Sequence, residues 1–328
     1  MTTPLNTLIV AEQSAGEPTR MAFELATKAR QLAAETGGKV SAVVVGRGAK
    51  QASAKLGEYG VEQAFVSEDD RFARLPVMGE TALVSQAVEM ANCNLVLVGA
   101  SNSGRDVSGR LSARLGIGVI AGATDVLVID GQVVAVCPIF GGSLEVRKSF
   151  VGDRGIVLIR PNAVAAERCS GGSVAIQEVD AEFPEDCLVE VVDTVPSERR
   201  TVPVEEASVI VAGGRGLGGP EPFKMLEELA ELLGGAVGST RAAVDANWAP
   251  YSTQIGQTGK TVKPKLYMAF GISGAVQHRV GMQTSDVIVA VNKNPDASIF
   301  QFSDLGVVGD LFEIVPRLIE EIKKKKQQ

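Results

Sequence analysis

The sequence predicts an α/β protein with two domains: an N-terminal parallel-sheet α/β domain carrying appended antiparallel strands, then a linker and a C-terminal Rossmann-like domain. Three observations predict it. Short apolar runs alternate with helical patterns through the first half, the rhythm of strand–helix–strand crossovers in a parallel sheet. The chain has 328 residues, beyond the usual range of one domain. Thirty-six glycines against 5% aromatic residues fit many tight strand-to-helix turns.

In chain order, strands are expected at Leu8–Ala11, Val40–Gly46, Gln63–Val66 and Leu95–Gly99. Helices follow them over about Glu17–Glu35, Lys50–Tyr59, Gly79–Met90 and Asp106–Leu115. From Gly118 the pattern changes. Val126–Ile129, Gln132–Val136, Leu144–Phe150, Gly155–Ile159 and Leu188–Val192 read as strands separated by glycine turns, and are expected to be antiparallel. Asp193–Glu206 is polar, holds Pro196 and Pro203, and shows no period, so it reads as the interdomain linker and places the domains at 1–200 and 201–328. A second α/β unit then begins with strand Ser208–Ala212 and helix Pro222–Leu233. Strands Leu266–Phe270 and Val287–Val291 and an amphipathic helix over Gly309–Lys326 complete it.

Composition prunes the functions available. A net charge of −7 predicts no broad basic surface and no nucleic-acid partner. The first residues lack both the basic and apolar segments of a signal peptide and an Arg-rich presequence, and no apolar stretch reaches bilayer length. The expectation is a cytoplasmic protein without direct membrane insertion. Cys93, Cys137, Cys169 and Cys187 have no C-x-x-C spacing and read as reduced structural thiols. His278 is the only histidine. Histidine-rich metal centres are therefore excluded, and any triad chemistry would hang on this one imidazole.

Three loops of the second half could carry chemistry. Gly214, Gly216 and Gly219 match G-x-G-x-x-G between a strand and a helix, where a dinucleotide pyrophosphate could dock with Arg215 beside it. A plain tight turn fits the same residues. The stretch Gln254–Thr261 imitates a phosphate loop, but glutamine stands where that motif needs its first glycine. No apolar strand precedes it, and Pro264 blocks the helix that should follow. A Gly/Gln/Thr loop beside a polar ring, or a surface loop, remains. Ser273 and Gly274 follow a strand and should open a helix with His278 in its first turn. That histidine reads either as facing a ligand at the helix start or as an exposed side chain.

Taken together and in order, these segments resemble the α subunit of electron transfer flavoprotein. The likeness is densest in VAGGRGL (211–217), GSTRAAVD (238–245), GQTGK (256–260), LYMAFGISGAVQH (266–278), VAVNK (289–293) and GDLF (309–312). The N-terminal half agrees more loosely, in strand order and in GRDVSGR (104–110).

The resemblance implies an FAD extended across the C-terminal domain. Arg215 and the Ser273–Gly274–Ala275 turn, continued by Val276, would approach the pyrophosphate; Asn292, Asp310 and Leu311 would flank the adenosine. Thr240, Arg241, Ile255, Gly256, Gln257, Thr258, Gln277 and His278 would surround the flavin. His278 would donate to the flavin O2, Arg241 would add positive charge nearby, and Thr258 would reach N5. The family often has serine at the position of Thr240 and glycine at that of Asn247; the first change keeps the hydroxyl.

The resemblance further implies a redox carrier rather than an enzyme with its own small-molecule substrate. It would form a heterodimer with a β subunit, and flavin dehydrogenases and an acceptor oxidoreductase would be transient partners. The N-terminal domain and antiparallel segment would meet the β subunit, and the linker would let the FAD domain swing. Two rival readings are a nicotinamide-dependent oxidoreductase using Gly214, Gly216 and Gly219, and a non-catalytic nucleotide-binding regulatory protein.

Overall fold

The computed structural model describes residues 4–142, 144–183, 189–193 and 202–326. The chain divides into two compact units: Met1–Pro138 with Glu145–Pro196, and Ile139–Leu144 with Ser197–Gln328. The centre of the expected linker, 194–201, and with it the expected boundary at 200/201, lies outside the described residues, as does Cys187.

The first unit opens with β1 (Thr7–Val10), the short antiparallel pair β2 (Gln13–Ser14) and β3 (Glu17–Pro18), and α1 (Arg20–Thr36). It continues through β4 (Val40–Val45), α2 (Ala49–Leu56), β5 (Gln63–Ser67), α3 (Pro76–Met90), β6 (Leu95–Gly99) and α4 (Asn102–Leu115). Next come β7 (Gly118–Ala123), β8 (Asp125–Ile129), β9 (Gln132–Ile139), β10 (Leu144–Ser149), β11 (Gly155–Ile159) and β12 (Ala175–Glu178).

Seven of these strands form one sheet in the order β12-β5-β4-β1-β6-β11-β7, every pair parallel. β1 is buried along its whole length, which is why it reads as an unbroken apolar run rather than an alternation. Its residues nonetheless alternate between cores: Ile9 packs into the cluster holding Leu25, Leu32 and Leu97, whereas Leu8 and Val10 pack into that holding Phe65, Leu83 and Leu111. Caps set the helix limits. The Thr19 hydroxyl accepts from the Ala22 N–H at the start of α1, and Gly37, left-handed at φ 73°, ends it.

The antiparallel expectation is met in part. β10-β9-β8 form a separate three-stranded sheet, with β8 and β9 antiparallel. β11, expected to be antiparallel, instead lies parallel between β6 and β7 in the main sheet. All five of its residues are buried, so the apolar run Gly-Ile-Val-Leu-Ile marks a strand covered on both faces. β7 and β12 have no counterpart among the expected strands; both sit at sheet edges, and β12 is exposed throughout. No strand forms over 189–192; Leu188 lies outside the described residues.

The second unit holds β13 (Val209–Gly213), α5 (Phe223–Leu233), β14 (Ala236–Ser239), α6 (Arg241–Asp245), β15 (Leu266–Phe270), α7 (Val276–Arg279), β16 (Val287–Asn292), β17 (Leu305–Val308) and α8 (Leu311–Lys326). Its five strands run parallel in the order β14-β13-β15-β16-β17. Counted within the unit this is 2-1-3-4-5, a doubly wound sheet whose connections change direction between β13 and β15. Ile210 and Ala212 face one core with Tyr267 and Ile288, and Val211 faces the other with Leu226, Phe270 and Val315.

Among the described residues no helix is long and apolar enough to cross a membrane.

Candidate functional site

Every residue expected to hold a cofactor lies at or beyond the carboxyl end of a strand of the second sheet, where open α/β sheets receive ligands. Arg215 follows β13, Thr240 and Arg241 follow β14, Ser273–His278 follow β15, Asn292 ends β16, and Asp310 and Leu311 follow β17. Ile255–Thr258 belong to a loop joined to β14, since Ile255 N–H donates to the Ser239 carbonyl at 2.9 Å.

Backbone hydrogen bonds lock these loops together. Gly214 N–H donates to the Phe270 carbonyl at 3.0 Å and Gly216 N–H to that of Gly271 at 2.9 Å. A Cβ on Gly214 or Gly216 would stand 2.6 Å from the Gly271 backbone. Two glycines of the G-x-G-x-x-G pattern are therefore needed for the close approach of a neighbouring turn. A Cβ on Gly219 would meet nothing within 4 Å, and α5 begins only at Phe223. This spacing departs from a dinucleotide fingerprint, where the helix should open directly on the glycine turn.

The 254–260 loop rests on the segment after β15. Gln257 N–H donates to the Gln277 carbonyl at 2.7 Å, and Gly256, at φ 141°, would put a Cβ 2.7 Å from that oxygen. Gln254, where a phosphate loop needs glycine, is buried and donates to the Thr258 hydroxyl at 3.1 Å. No helix follows over 261–264. Lys260, the lysine of the imitated motif, pairs with Glu205.

Several expected ligand residues have structural partners of their own. Asn292 Nδ2 donates to the Ile272 carbonyl at 2.9 Å, pinning the turn after β15 to β16. The Asp310 carboxylate accepts from Phe312 N–H at 2.8 Å, capping α8, and Leu311 is buried. Arg241 is exposed and pairs with Asp245 at 3.2 Å. Arg215, Ser273, Ala275, Val276, Gln277 and Thr258 present exposed surfaces around the same sheet end.

His278 departs from one of the two expectations, the exposed side chain. It is buried, not exposed. The helix carrying it, α7, has only four residues, too short to focus an aligned dipole on the ring. Nδ1 lies 3.0 Å from the Ile255 carbonyl and Nε2 lies 2.9 Å from the Tyr267 hydroxyl. A carbonyl only accepts, so the proton sits on Nδ1 and the tyrosine donates to Nε2. Burial pushes the imidazole pKa down to about 4, partly opposed by the Ile255 carbonyl. The ring is neutral at pH 7. Tyr267, wholly buried in β15, is the polar partner that sequence reasoning missed; a tyrosine inside an apolar strand carries no sign of what its hydroxyl meets.

Residues 7–184 match the model described as electron transfer flavoprotein domain, and residues 203–283 match electron transfer flavoprotein FAD-binding domain. The electron transfer flavoprotein subunit alpha of Thermoanaerobacterium thermosaccharolyticum is 40% identical over 97% of this chain and 98% of its own. That of Bacillus subtilis is 39% identical over 97% of each, and that of Mycobacterium tuberculosis 40% over 97% and 98%. The chain belongs to the electron transfer flavoprotein α-subunit family.

The matched FAD-binding domain, 203–283, covers the loops at 214–219, 240–241, 254–260 and 273–278 and stops short of Asn292, Asp310 and Leu311, and one feature of these loops suits a polar ligand. Thr240, just beyond β14, has its hydroxyl oxygen buried and without a hydrogen-bond partner among the described residues, an orphan that costs about 1–3 kcal/mol if nothing else satisfies it. Gly274, at φ 86°, has no room for a Cβ because the Ile299 backbone lies against it.

The buried neutral histidine has a measurable consequence. Its folded pKa lies below the ordinary 6.5, so the unfolded chain takes up the proton first. Stability is complete above about pH 6.5, falls as pH drops, and has lost about 3 kcal/mol by pH 4. Urea titrations followed by Trp248, the sole tryptophan, report the second unit. The stability of the parent chain relative to His278→Gln should fall by about that amount between pH 7 and 4. A constant difference would show that the imidazole is not held neutral.

Proposed function

We propose that this chain is the FAD-holding subunit of a heterodimeric electron transfer flavoprotein. It would accept electrons from flavin dehydrogenases, or from NADH in a bifurcating complex, and pass them to a quinone reductase or other acceptor. In this reading residues 1–200 meet a β subunit and residues 201–328 hold the cofactor. The observation that carries it is the convergence of all sixteen expected residues at the carboxyl end of one parallel sheet, around its β13/β15 switch point.

FAD, when bound, supplies the redox chemistry; the protein supplies binding, orientation and electrostatics. Arg215 and the Ser273–Val276 turn would hold the pyrophosphate by charge and backbone N–H groups. Thr240 would give its orphaned hydroxyl to the ligand. Gly256, Gln257 and Ile255 would shape the ring pocket, Thr258 would offer a hydroxyl to N5, and Gln277 would close its edge. Asn292, Asp310 and Leu311 would serve indirectly at the adenosine end, by fixing the strand ends against which it lies. Arg241 would favour by its charge the negative charge that reduction places on the flavin, and His278, neutral with both ring nitrogens engaged, would do so only by presenting a ring N–H released from its present partners.

The close fit of Gly214 and Gly216 to a neighbouring turn, with α5 starting late, weighs against the nicotinamide reading. Co-expression with a β subunit, followed by a visible spectrum and a flavin count per heterodimer, tests the proposal. A colourless complex that takes up no FAD would overturn it.

Substitution at the two charge-stabilising residues gives a second test. His278→Ala should lower the flavin midpoint potential by on the order of 60 mV, the equivalent of one tenfold change for a one-electron couple. Arg241→Ala should lower it less, and less still at high salt, because the guanidinium is exposed. Redox titrations showing both variants at the parent potential would remove this role.

A further inference from the structure

Gln254 stands where the phosphate-loop imitation needs glycine, and the proposed ligand set does not use it. Its side chain is buried and reaches over the turn that follows, with Nε2 donating to the Thr258 hydroxyl at 3.1 Å. Gly259 makes room for it: a Cβ there would stand 2.3 Å from the Gln254 carbonyl oxygen and 2.9 Å from its Cγ. Three residues upstream, Tyr251 is exposed, yet its hydroxyl donates to the Thr258 carbonyl at 3.0 Å. A carbonyl only accepts, so the direction of this bond is settled. The base from which both side chains reach is itself anchored. Gln254 N–H donates to the Tyr251 carbonyl at 3.0 Å, and the Thr253 hydroxyl bonds that of Ser239, at the end of β14, at 2.8 Å.

We infer that Tyr251 and Gln254 are positioning residues that clamp Thr258, one by its backbone carbonyl and the other by its hydroxyl, and so fix how that hydroxyl faces a ligand. One hydrogen bond leaves a residue free to turn about it; a second, on a different part of the residue, removes that freedom. Thr258 needs such a hold. It is exposed, and the bond that closes its turn, from Gly259 N–H to the Gly256 carbonyl at 3.0 Å, passes it by. The amide nitrogen of Gln254 gives its hydrogen, so the threonine keeps its own for a ligand. A side chain ordered beforehand also loses less entropy when the ligand arrives. The inference rests on the FAD reading above for what the hydroxyl meets, flavin N5, but not for the clamp itself.

In the FAD-free full-length chain, Tyr251→Phe and Gln254→Met should each speed hydrogen exchange of the Gly256, Gly259 and Lys260 amides about fivefold, the equivalent of one ordinary hydrogen bond. Exchange in β13 and β15 should stay as in the parent. Tyr251→Phe keeps the exposed ring and removes only the hydroxyl. In the FAD-loaded heterodimer, Thr258→Val, of the same shape without the hydroxyl, should weaken FAD binding about fivefold. Each clamp variant should weaken it about two- to fivefold and by no more than Thr258→Val, because a positioning residue forfeits at most what the group it positions contributes. Made in a Thr258→Val background, either change should lose most of its effect on FAD affinity and on the flavin midpoint potential. A merely structural weakening would add in full.

Parent-like exchange in Tyr251→Phe overturns the clamp, and failure of Gln254→Met to fold does not shield it. Fully additive losses in the Thr258→Val background also overturn it. A chain whose turn loosens as expected, but whose heterodimer takes up no FAD, overturns the flavin reading and with it the place of these two residues in a flavin site, while the clamp stands.

Discussion

Replacing Gly274 by alanine is expected to destabilise the second unit by about 3 kcal/mol and to weaken FAD binding on the order of 100-fold. Two costs add. Gly274 has φ 86°, a left-handed conformation that costs a residue with a Cβ about 1–2 kcal/mol. The new Cβ would also stand 2.3 Å from the Ile299 backbone nitrogen, and backbone, unlike the end of a flexible side chain, cannot swing aside. Moving it breaks the bond from Ile299 N–H to the Ser273 carbonyl, now 3.0 Å, for roughly another 1–2 kcal/mol. The strain falls on Ser273, Gly274 and Ala275, so the loss of ligand affinity should follow the loss of stability at about tenfold per 1.4 kcal/mol.

Gly234→Ala is the control. Gly234 is also left-handed, at φ 64°, but its Cβ would meet nothing within 4 Å, and it ends α5 away from the strand ends that gather the site. It should lose only the conformational part and bind FAD normally. Trp248 fluorescence in urea and FAD titration read both effects. Equal behaviour of the two variants would rule out the backbone clash as the cause.

The second large effect lies in the first unit and has the opposite sign. Glu80, on α3, is buried with Glu12 near it, and Glu12 accepts the hydroxyl proton of Ser101 at the start of α4. Burial, with repulsion from Glu12 a smaller cause, raises the Glu80 pKa from 4.5 to about 8. Below pH 4.5 the carboxyl is neutral whether folded or unfolded, and it has no effect. As pH rises, the unfolded chain ionises first, so stability drops by about 1.4 kcal/mol per unit until the folded carboxyl ionises near pH 8.

At pH 7 the penalty is about 3 kcal/mol. Glu80→Gln keeps the shape and removes the charge. It should therefore raise the melting temperature of the first unit by roughly 6–12 °C at pH 7 and leave it nearly unchanged at pH 4.5. Calorimetry at the two pH values decides. A loss of stability at pH 7 would mean that the ionised carboxylate has a partner that its burial conceals.

How far the sequence reaches can be followed residue by residue. β6 and β15 were legible to the residue, and β1, β4 and β5 within one at each end, because strands covered on both faces are short apolar runs between turns. Turn chemistry was legible too: the P-loop imitation fails on Gln254 and Pro264 alone, and no helix follows it. Edge strands were not. β12 is exposed along its length and β17 nearly so, so neither carries the burial pattern by which strands are recognised. Nor was direction legible: β11 lies in the parallel sheet although β8 and β9, just before it in the chain, are antiparallel, because its pairing is settled by partners 36 to 60 residues away.

The same division holds at the site. By itself the sequence determined which residues form the loops at the strand ends, and that one imidazole stands among them, because turn glycines, apolar runs and residue counts are local properties. Only the tertiary structure decided what those residues do to one another. It places the Gly271 backbone against Gly214 and Gly216, leaves the Thr240 hydroxyl without a partner, and sets Tyr267 and Ile255 on the two nitrogens of His278. A hydrogen bond between residues 11 or 23 positions apart depends on the packing of strand and loop. No local pattern in the chain encodes it.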